Sequence, residues 1–332
     1  MNDEQLPVER LVLRVVEAAD DQRGAEISAR LRDSLSAMAP HSDSSEARQM
    51  LASKLVGVRT PIGAGIMAMW LGAVAENGRD PTPVIPSMME ALLKWSRTIR
   101  AEDGESCPET IDDNLQTGMQ WLGQGLVANL GRCAAQREVY MAREDVLAEL
   151  ERTEHVAVGC MWVAELLRKQ SGTLLVVHVA GRKGCFVSYE NISNCFHLFT
   201  LLQASLAGLV PGTKTTPRNV VAVARGESTH AVTDVAWWHY GRGDVPEANF
   251  AASVWGEGSP DQIPVVNGVQ VLLLWPPIMG GRSWDGGFLM PLLAATPPSV
   301  TVLNHLTSEQ LDEWWATLGL PQPPAKPRWK FW

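Results

Sequence analysis

The amino-acid composition of the chain changes near residue 170, and this change constrains the fold more than any single motif. Residues 1–170 carry 26 acidic residues, 18 basic residues and four tryptophans, whereas residues 171–332 carry 11 acidic residues, 10 basic residues and nine tryptophans. Charged, Ala- and Leu-rich sequence favours helices, and Val-, Trp- and Gly-rich sequence favours strands and turns. The sequence therefore predicts an α+β protein with a helical domain over 1–170, a Trp-rich α+β domain over 171–320 and a Pro-rich, basic-aromatic tail over 321–332.

The first half shows apolar residues at helical spacing in successive segments separated by Pro and Gly. Consecutive amphipathic helices with short loops pack as an antiparallel bundle or a short helical solenoid, and we expect one of these two arrangements. The stretch from Ile62 to Ala75 is almost entirely apolar, which predicts a buried helix. We also expect one long helix from Ala142 to Lys169.

The second half opens with a predicted hairpin, in which Thr173–Ala180 and Cys185–Tyr189 are strands. Asn191 or Ser193 is a suitable N-cap for a helix that runs to about Leu209 and is apolar on two sides, so we expect it to be buried. Three further runs are rich in β-branched or aromatic residues and are predicted as strands: Asn219–Ala224, Ala231–Tyr240 and Phe250–Trp255.

The most specific local signals lie near the C-terminal end. Asn267-Gly268 between two apolar runs predicts a hairpin with a type I′ turn, because both residues tolerate positive φ. Pro264 cannot donate a ladder hydrogen bond, so its strand belongs at an edge. Ser299–Leu303 is predicted as a strand. Thr307, with Gln310 three residues later, predicts a capping box at the start of a final helix.

Composition excludes several classes of function. A net charge of -9 without a basic block argues against nucleic-acid binding. The N-terminus lacks the pattern of a signal peptide, and the longest apolar stretch is 14 residues, too short to cross a bilayer. Five widely spaced cysteines favour reduced thiols in a cytoplasm. Because 21 of the 28 basic residues are Arg, a GC-rich bacterial genome is our expectation for the source.

Four potential metal ligands lie close together in the sequence, at His178, Cys185, Cys195 and His197. They contain no tight Cys-x₂-Cys pair, and residues 195 and 197 point about 200° apart on a helix, so we predict no metal site. A thiol nucleophile is conceivable, but Cys195 lies on an apolar helix face, where burial makes a thiol inert. We expect no cofactor.

Two segments are candidates for partner binding. In the loop Pro276–Phe288, paired glycines flank Arg282, Trp284 and Asp285. This loop either presents an aromatic residue and a charge to a ligand, or it is a long connection in which Arg282 pairs with Asp285 and Trp284 fills the core. In the run Trp237-Trp238-His239-Tyr240, adjacent tryptophans point to opposite faces of a strand. One of them faces the core, and the other faces a second layer, a partner or water.

These observations predict a non-enzymatic protein-binding accessory, adaptor or assembly component in a bacterial cytoplasm. Its expected partner is another protein, with neither nucleic acid nor membrane involved. The predicted binding residues are Trp237, Trp238, Tyr240, Glu257, Arg282, Trp284 and Asp285. The alternative is an enzyme of unrecognised class with a pocket at the domain interface near Glu257, Arg282 and Asp285. The sequence does not indicate an oligomeric state.

Overall fold

A computed structural model describes residues 6–100, 107–207, 216–228, 232–235, 238–277, 282–284 and 296–321. The chain forms two compact units: Met1–Arg168 with Pro291–Thr296, and Lys169–Met290 with Pro297–Trp332. The first unit is helical and the second contains a mixed sheet with a late helix, so the predicted α+β class is confirmed. Among the described residues, none of the helices combines the length and the apolar character needed to span a bilayer.

In its described part, the first unit consists of nine α-helices joined by short loops and 3₁₀ turns. Their boundaries are α1 Val8–Asp20, α2 Ala29–Met38, α3 Ser45–Ser53, α4 Pro61–Glu76, α5 Ile85–Thr98, α6 Asp113–Leu130, α7 Ala134–Met141, α8 Glu144–Thr153 and α9 Val158–Leu167.

Helix α4 is largely buried, as its apolar sequence predicts. The side chain of Thr60 accepts a hydrogen bond from the N–H of Gly63. Pro61 occupies the first turn, where the N–H that proline lacks would have no partner within the helix. Eleven of its 16 residues are buried. A helix with apolar residues on all sides is stable only inside a core, and α4 therefore lies at the centre of the unit.

Helices α4 and α6 meet along a glycine seam, which we define as Gly65, Gly72, Gly118 and Gly125. The glycines lie seven residues apart on each helix. A β-carbon on Gly65 would lie 2.6 Å from the carbonyl oxygen of Gly118, and one on Gly72 would lie 2.9 Å from the α-carbon of Gly125. The two backbones are therefore in direct van der Waals contact.

The single helix expected over 142–169 is wrong, because α8 and α9 are separate helices within that range. The end of α8 is held by a polar cluster. The Thr153 hydroxyl contacts the Ser96 hydroxyl at 3.0 Å and bonds back to the carbonyls of Glu149 and Leu150 at 3.3 Å. Such back-bonding by Thr competes with continuation of the helix.

The second unit is built on a six-stranded sheet in the order β4-β6-β1-β2-β8, with β5 also pairing with β6. Strands β1 and β6 are parallel, and the other described pairs in this sheet are antiparallel. A separate pair is formed by β3 and β7. The strands are β1 Gln170–His178, β2 Lys183–Ile192, β3 Val232–Val235, β4 His239–Arg242, β5 Val265–Val266, β6 Val269–Trp275, β7 Arg282–Trp284 and β8 Ser299–His305.

Alternation along the central strands buries both faces of the large sheet. Leu174 and Val176 belong to one apolar cluster with α10 (Cys195–Leu206) and α11 (Arg218–Ala224). Leu175 and Val177 belong to a second cluster with α12 (Ser308–Thr317). Because successive residues of a strand point to opposite faces, the unit has three layers, with the sheet between α10 and α11 on one side and α12 on the other.

The strand predicted over 219–224 is wrong, since these residues belong to α11. Val220, Val223 and Ala224 recur at three- and four-residue spacing and are buried in the α10-side cluster. Packing of this stripe overrides the strand preference of Val. Helix α10 is capped by Asn194, whose side chain accepts from the N–H of His197, rather than by residue 191 or 193.

The strand predicted over 250–255 is also wrong, because it begins with a 3₁₀ turn, Phe250–Ala252. The side chain of Asn249 accepts a hydrogen bond from the N–H of Ala252 at 2.9 Å, and this local bond closes the turn. The segment predicted as one strand over 231–240 contains parts of two strands in different sheets, β3 and β4.

Three local predictions are confirmed. The first hairpin forms from β1 and β2. In the second, Asn267 and Gly268 have φ of 50° and 80°, and β5, which follows Pro264, pairs with β6 and with no other strand of the described residues. Thr307 and Gln310 form the capping box at the start of α12.

Candidate functional site: an exposed aromatic patch

Two of the predicted binding residues lie in the core. Trp238 is 9% exposed and Tyr240 is 4% exposed, and both belong to the α10-side cluster. Trp238 lies beside His178, with ring centroids 5.8 Å apart. The side chains of Trp238 and Tyr240 therefore pack in the core. The binding role predicted for these two residues stays a prediction.

The remaining predicted residues are only partly described. Glu257 is exposed to solvent. Arg282 and Trp284 lie in β7, where they pair with Val235 and Val232, but their side chains fall outside the described residues. Trp237 and Asp285 also lie outside them. The pocket predicted near Glu257, Arg282 and Asp285 is accordingly not described and stays a prediction.

Two exposed aromatic residues that the sequence analysis did not select lie shortly before Glu257 in the sequence. Phe250 is 50% exposed and Trp255 is 49% exposed. Their rings are nearly parallel, with an interplanar angle of 11° and centroids 6.3 Å apart. We call Phe250, Trp255 and Glu257 the aromatic patch. One sequence signal could have indicated the patch: Trp255 lies in a Gly-rich turn, and residues in turns are usually at the surface.

The loop that carries the patch is attached to the end of α10. The carbonyl oxygens of Gly256 and Gly258 accept hydrogen bonds from the first N–H groups of the helix, at Phe196 (2.9 Å) and Cys195 (2.7 Å). These N–H groups have no partner within a helix, so the loop satisfies them. Gly256 packs so tightly on the Phe196 ring that a β-carbon there would overlap it. The patch is therefore presented by a firmly held backbone.

The sequence segment that contains the patch is acidic. From residue 243 to residue 281 the sequence contains four acidic residues and no Lys or Arg. One of the four, Asp244, forms an ion pair with Arg242 at 2.7 Å, which holds the pKa of its carboxyl below the usual range mainly through a side-chain hydrogen bond. The Asp261 carboxyl also has a lowered pKa, first because it accepts a hydrogen bond from the Ser259 hydroxyl. Both carboxylates are therefore charged at neutral pH.

Among the residues that the structure describes, both edges of the large sheet are interrupted. At one edge, β4 is covered by the next segment, where Val254 donates to the carbonyl of Tyr240 at 2.8 Å and Ser253 bridges Gly241. At the other edge, β8 shifts register against β2 between Phe186 and Val187. Covering and bulging are both common ways to prevent strand addition.

The Cys and His residues considered as metal ligands or nucleophiles do not form a reactive centre. Burial raises the thiol pKa of Cys185 to about 11 and that of Cys195 to about 12, as expected for inert thiols. In the described part of the chain, no three His, Cys, Asp or Glu residues lie together in an arrangement that could hold a metal ion.

No protein-family model, curated protein or solved structure matches this chain.

Proposed function

We propose that this protein is a non-enzymatic accessory, adaptor or assembly component that binds another protein in a bacterial cytoplasm. The observation that supports this proposal most is the pair of half-exposed aromatic rings, Phe250 and Trp255, on a loop fixed to α10. Large aromatic side chains supply much of the binding energy at protein interfaces when a partner covers them.

The geometry favours contact through side chains rather than through strand addition. Both edges of the large sheet are interrupted, whereas the aromatic patch projects from a backbone that needs little reordering on binding. A rigid anchor loses less conformational entropy when it is covered than a mobile loop does. Glu257 is exposed two positions after Trp255, and a charged residue next to an apolar centre is typical of the polar rim of an interface.

The compartment is supported by the cysteines. All five are free thiols, and Cys160, Cys185 and Cys195 are buried. Free thiols are the usual state of cysteine in a reducing cytoplasm. The excess of Arg over Lys supports a bacterial source only through codon composition.

The direct test begins with affinity purification and mass spectrometry, comparing the tagged protein with its Trp255→Ala variant. A partner retained by the first and lost by the second is then purified, and its affinity is measured by calorimetry. We expect Trp255→Ala to weaken binding by about 2 kcal/mol or more, roughly 30-fold, without a change in melting temperature. Val265→Ala, at a residue that is 60% exposed outside the patch, is the matched control.

Equal affinity for the wild-type protein and for Trp255→Ala and Phe250→Ala variants would contradict the role of the patch. The loop Pro276–Phe288 is tested separately with Trp284→Ala. If Trp284 is an interface anchor, binding weakens by about 2 kcal/mol at constant melting temperature. If it fills the core, folding loses roughly 3–5 kcal/mol and partner affinity does not change.

A further inference from the structure

The aromatic patch has exposed carboxylates beside it that form no ion pair within the described residues. Glu257 is exposed two positions after Trp255, and Glu247 is exposed three positions before Phe250. The Glu247 carboxylate accepts a hydrogen bond from the Asn249 side chain at 2.5 Å. Because Asn249 also closes the turn that begins at Phe250, Glu247 lies next to the backbone that carries this ring. In the described part of the chain, neither glutamate is paired with a basic residue.

This arrangement has a definite chemical preference. The half-exposed rings of Phe250 and Trp255 favour aromatic side chains and also attract cations over their faces. The two carboxylates favour a cation and repel an anion. The occupant that fits best therefore combines aromatic and basic residues and contains no acidic ones.

The C-terminal tail of this chain has that composition. Residues 322–332 include three basic residues, three aromatic residues and no acidic residue. They are Lys326, Arg328, Lys330, Trp329, Phe331 and Trp332. By contrast, the segment from 243 to 281, which contains the patch, has four acidic residues and no Lys or Arg. The tail and the patch are therefore opposite in charge and alike in aromatic character.

The tail is attached to the same unit as the patch and is long enough to reach it. The described part of the chain ends at Pro321, whose carbonyl oxygen accepts a hydrogen bond from Trp315 Nε1 at 3.1 Å. Pro321 and Trp255 both belong to the second unit. The residues from 322 to 332 can span up to about 36 Å when extended. A domain of about 150 residues has a radius of gyration of about 15 Å, so a segment of this length can cross most of it.

We propose that the C-terminal tail occupies the aromatic patch of its own chain and competes there with the protein partner. The aromatic residues of the tail cover Phe250 and Trp255, and its basic residues pair with Glu247 and Glu257. Because the tail is tethered, its effective concentration at the patch is in the millimolar range, and weak contacts are enough to fill the site. Regulation of partner binding in this way rests on the proposed function, whereas the contact between tail and patch requires no partner.

The test uses a fluorescein-labelled peptide with the sequence of residues 322–332, and fluorescence anisotropy measures its binding to the full chain. In a second form of the full chain, the tail is disabled by Trp329→Ser, Phe331→Ser and Trp332→Ser together. We expect this tail-disabled form to bind the peptide about fivefold more tightly than the wild-type protein, in which the tethered tail competes. Raising the salt concentration should weaken peptide binding, because exposed charges are screened.

Substitutions in the patch are made in the tail-disabled form. Trp255→Ala should weaken peptide binding roughly tenfold, as the loss of an interface aromatic residue does. Glu257→Lys reverses an exposed charge and should weaken it about fivefold. Val265→Ala, at a residue that is 60% exposed outside the patch, is the matched control and should leave the affinity unchanged. Melting temperatures identify any form that fails to fold, and Glu257→Lys decides if Trp255→Ala is such a form.

Absence of binding at about 5 mM peptide, above the effective concentration of a tethered tail, would overturn the proposal. Equal peptide affinity of the wild-type and tail-disabled forms would do the same, as would unchanged affinity in Trp255→Ala and Glu257→Lys. A dimer in analytical ultracentrifugation that dissociates in the tail-disabled form would assign the tail to a second copy and contradict occupation by its own chain.

Failure of this contact and failure of the proposed function give different results. A partner that is lost with Trp255→Ala while the peptide does not bind leaves the protein-binding function intact and removes only the role of the tail. Peptide binding that depends on Trp255, without any partner that depends on it, retains the contact and contradicts the protein-binding role of the patch.

Discussion

Tyr240 lies flat against Phe199, with ring centroids 3.8 Å apart and ring planes within 2° of each other. The Tyr240 hydroxyl also donates a hydrogen bond to the carbonyl oxygen of Phe199 at 3.0 Å. One side chain of β4 therefore contacts both the ring and the backbone of a single residue of α10. This double contact ties the helix to the edge of the sheet.

Replacement of Tyr240 separates the two contacts. Tyr240→Phe keeps the ring and removes only the additional hydrogen bond to a carbonyl inside α10, so we expect a loss of about 1 kcal/mol in the free energy of unfolding. Tyr240→Ala also removes the ring and should cost roughly 3–5 kcal/mol. Urea unfolding monitored by circular dichroism measures both values. A Tyr240→Ala protein as stable as the wild type would contradict the core position of Tyr240.

The thiols should fall into two classes of reactivity. Cys107 and Cys133 are partly exposed, whereas Cys160, Cys185 and Cys195 are buried. We expect two thiols to react readily with Ellman's reagent in the native protein and three to react only after unfolding, since the reagent needs an accessible thiolate. Rapid reaction of Cys195 in the native state would contradict its placement in the core.

The buried thiols also predict a pH dependence of stability. Burial raises the pKa of Cys160 and Cys195 to about 12 and that of Cys185 to about 11, above the usual value of about 8.5 in the unfolded chain. Above that value the unfolded chain loses protons that the native protein keeps. Stability should therefore fall as pH rises from about 8.5 towards 11. Urea unfolding across this range measures the slope, which Cys185→Ala should reduce.

The capping box of α12 predicts a local effect on stability. The side chain of Thr307 accepts from the Gln310 N–H at 3.3 Å, and the side chain of Gln310 accepts from the Thr307 N–H at 3.0 Å. Thr307→Ala should destabilise the protein by about 1 kcal/mol, and Thr307→Ser should retain most of the stability. Thermal unfolding of both variants compares them. A Ser variant as unstable as the Ala variant would point to lost packing instead of a lost cap.

The predicted domain organisation is tested by cutting the chain. If the first domain folds alone, a fragment of residues 1–170 should have a helical circular dichroism spectrum and a cooperative thermal transition. Limited proteolysis of the whole chain should then produce a fragment of similar size. Cleavage confined to positions between 20 and 150 would show that the first domain is not an independent unit.

Features that depend on neighbouring residues were predictable from the sequence. Asn267-Gly268 determines its turn through the backbone freedom of two residues, and the capping box requires only Thr307 and Gln310. The strand prediction over 219–224 was wrong because the choice between helix and strand there depends on what the segment packs against. Local preference is too weak to decide such cases.

The candidate sites were less accessible to sequence reasoning for the same reason. Exposure of Trp255 depends on the attachment of its loop to α10 through Gly256 and Gly258, a contact across about 60 positions of sequence. The pairing of His305 with Cys185 likewise depends on the register of β8 against β2. Neither contact leaves a local pattern, because long-range register is set by the whole core.

The glycine seam has a consequence for how this protein can change over evolution. Most helix pairs meet through side chains, so a larger residue on one helix can be offset by a smaller one on the other. At Gly65 and Gly72 the nearest opposing atoms belong to the backbone of α6, and no substitution can make a backbone smaller. A larger residue at this seam therefore cannot be compensated by a smaller one on the opposing helix. We expect sequence variation in the first unit to occur at positions outside the α4–α6 contact.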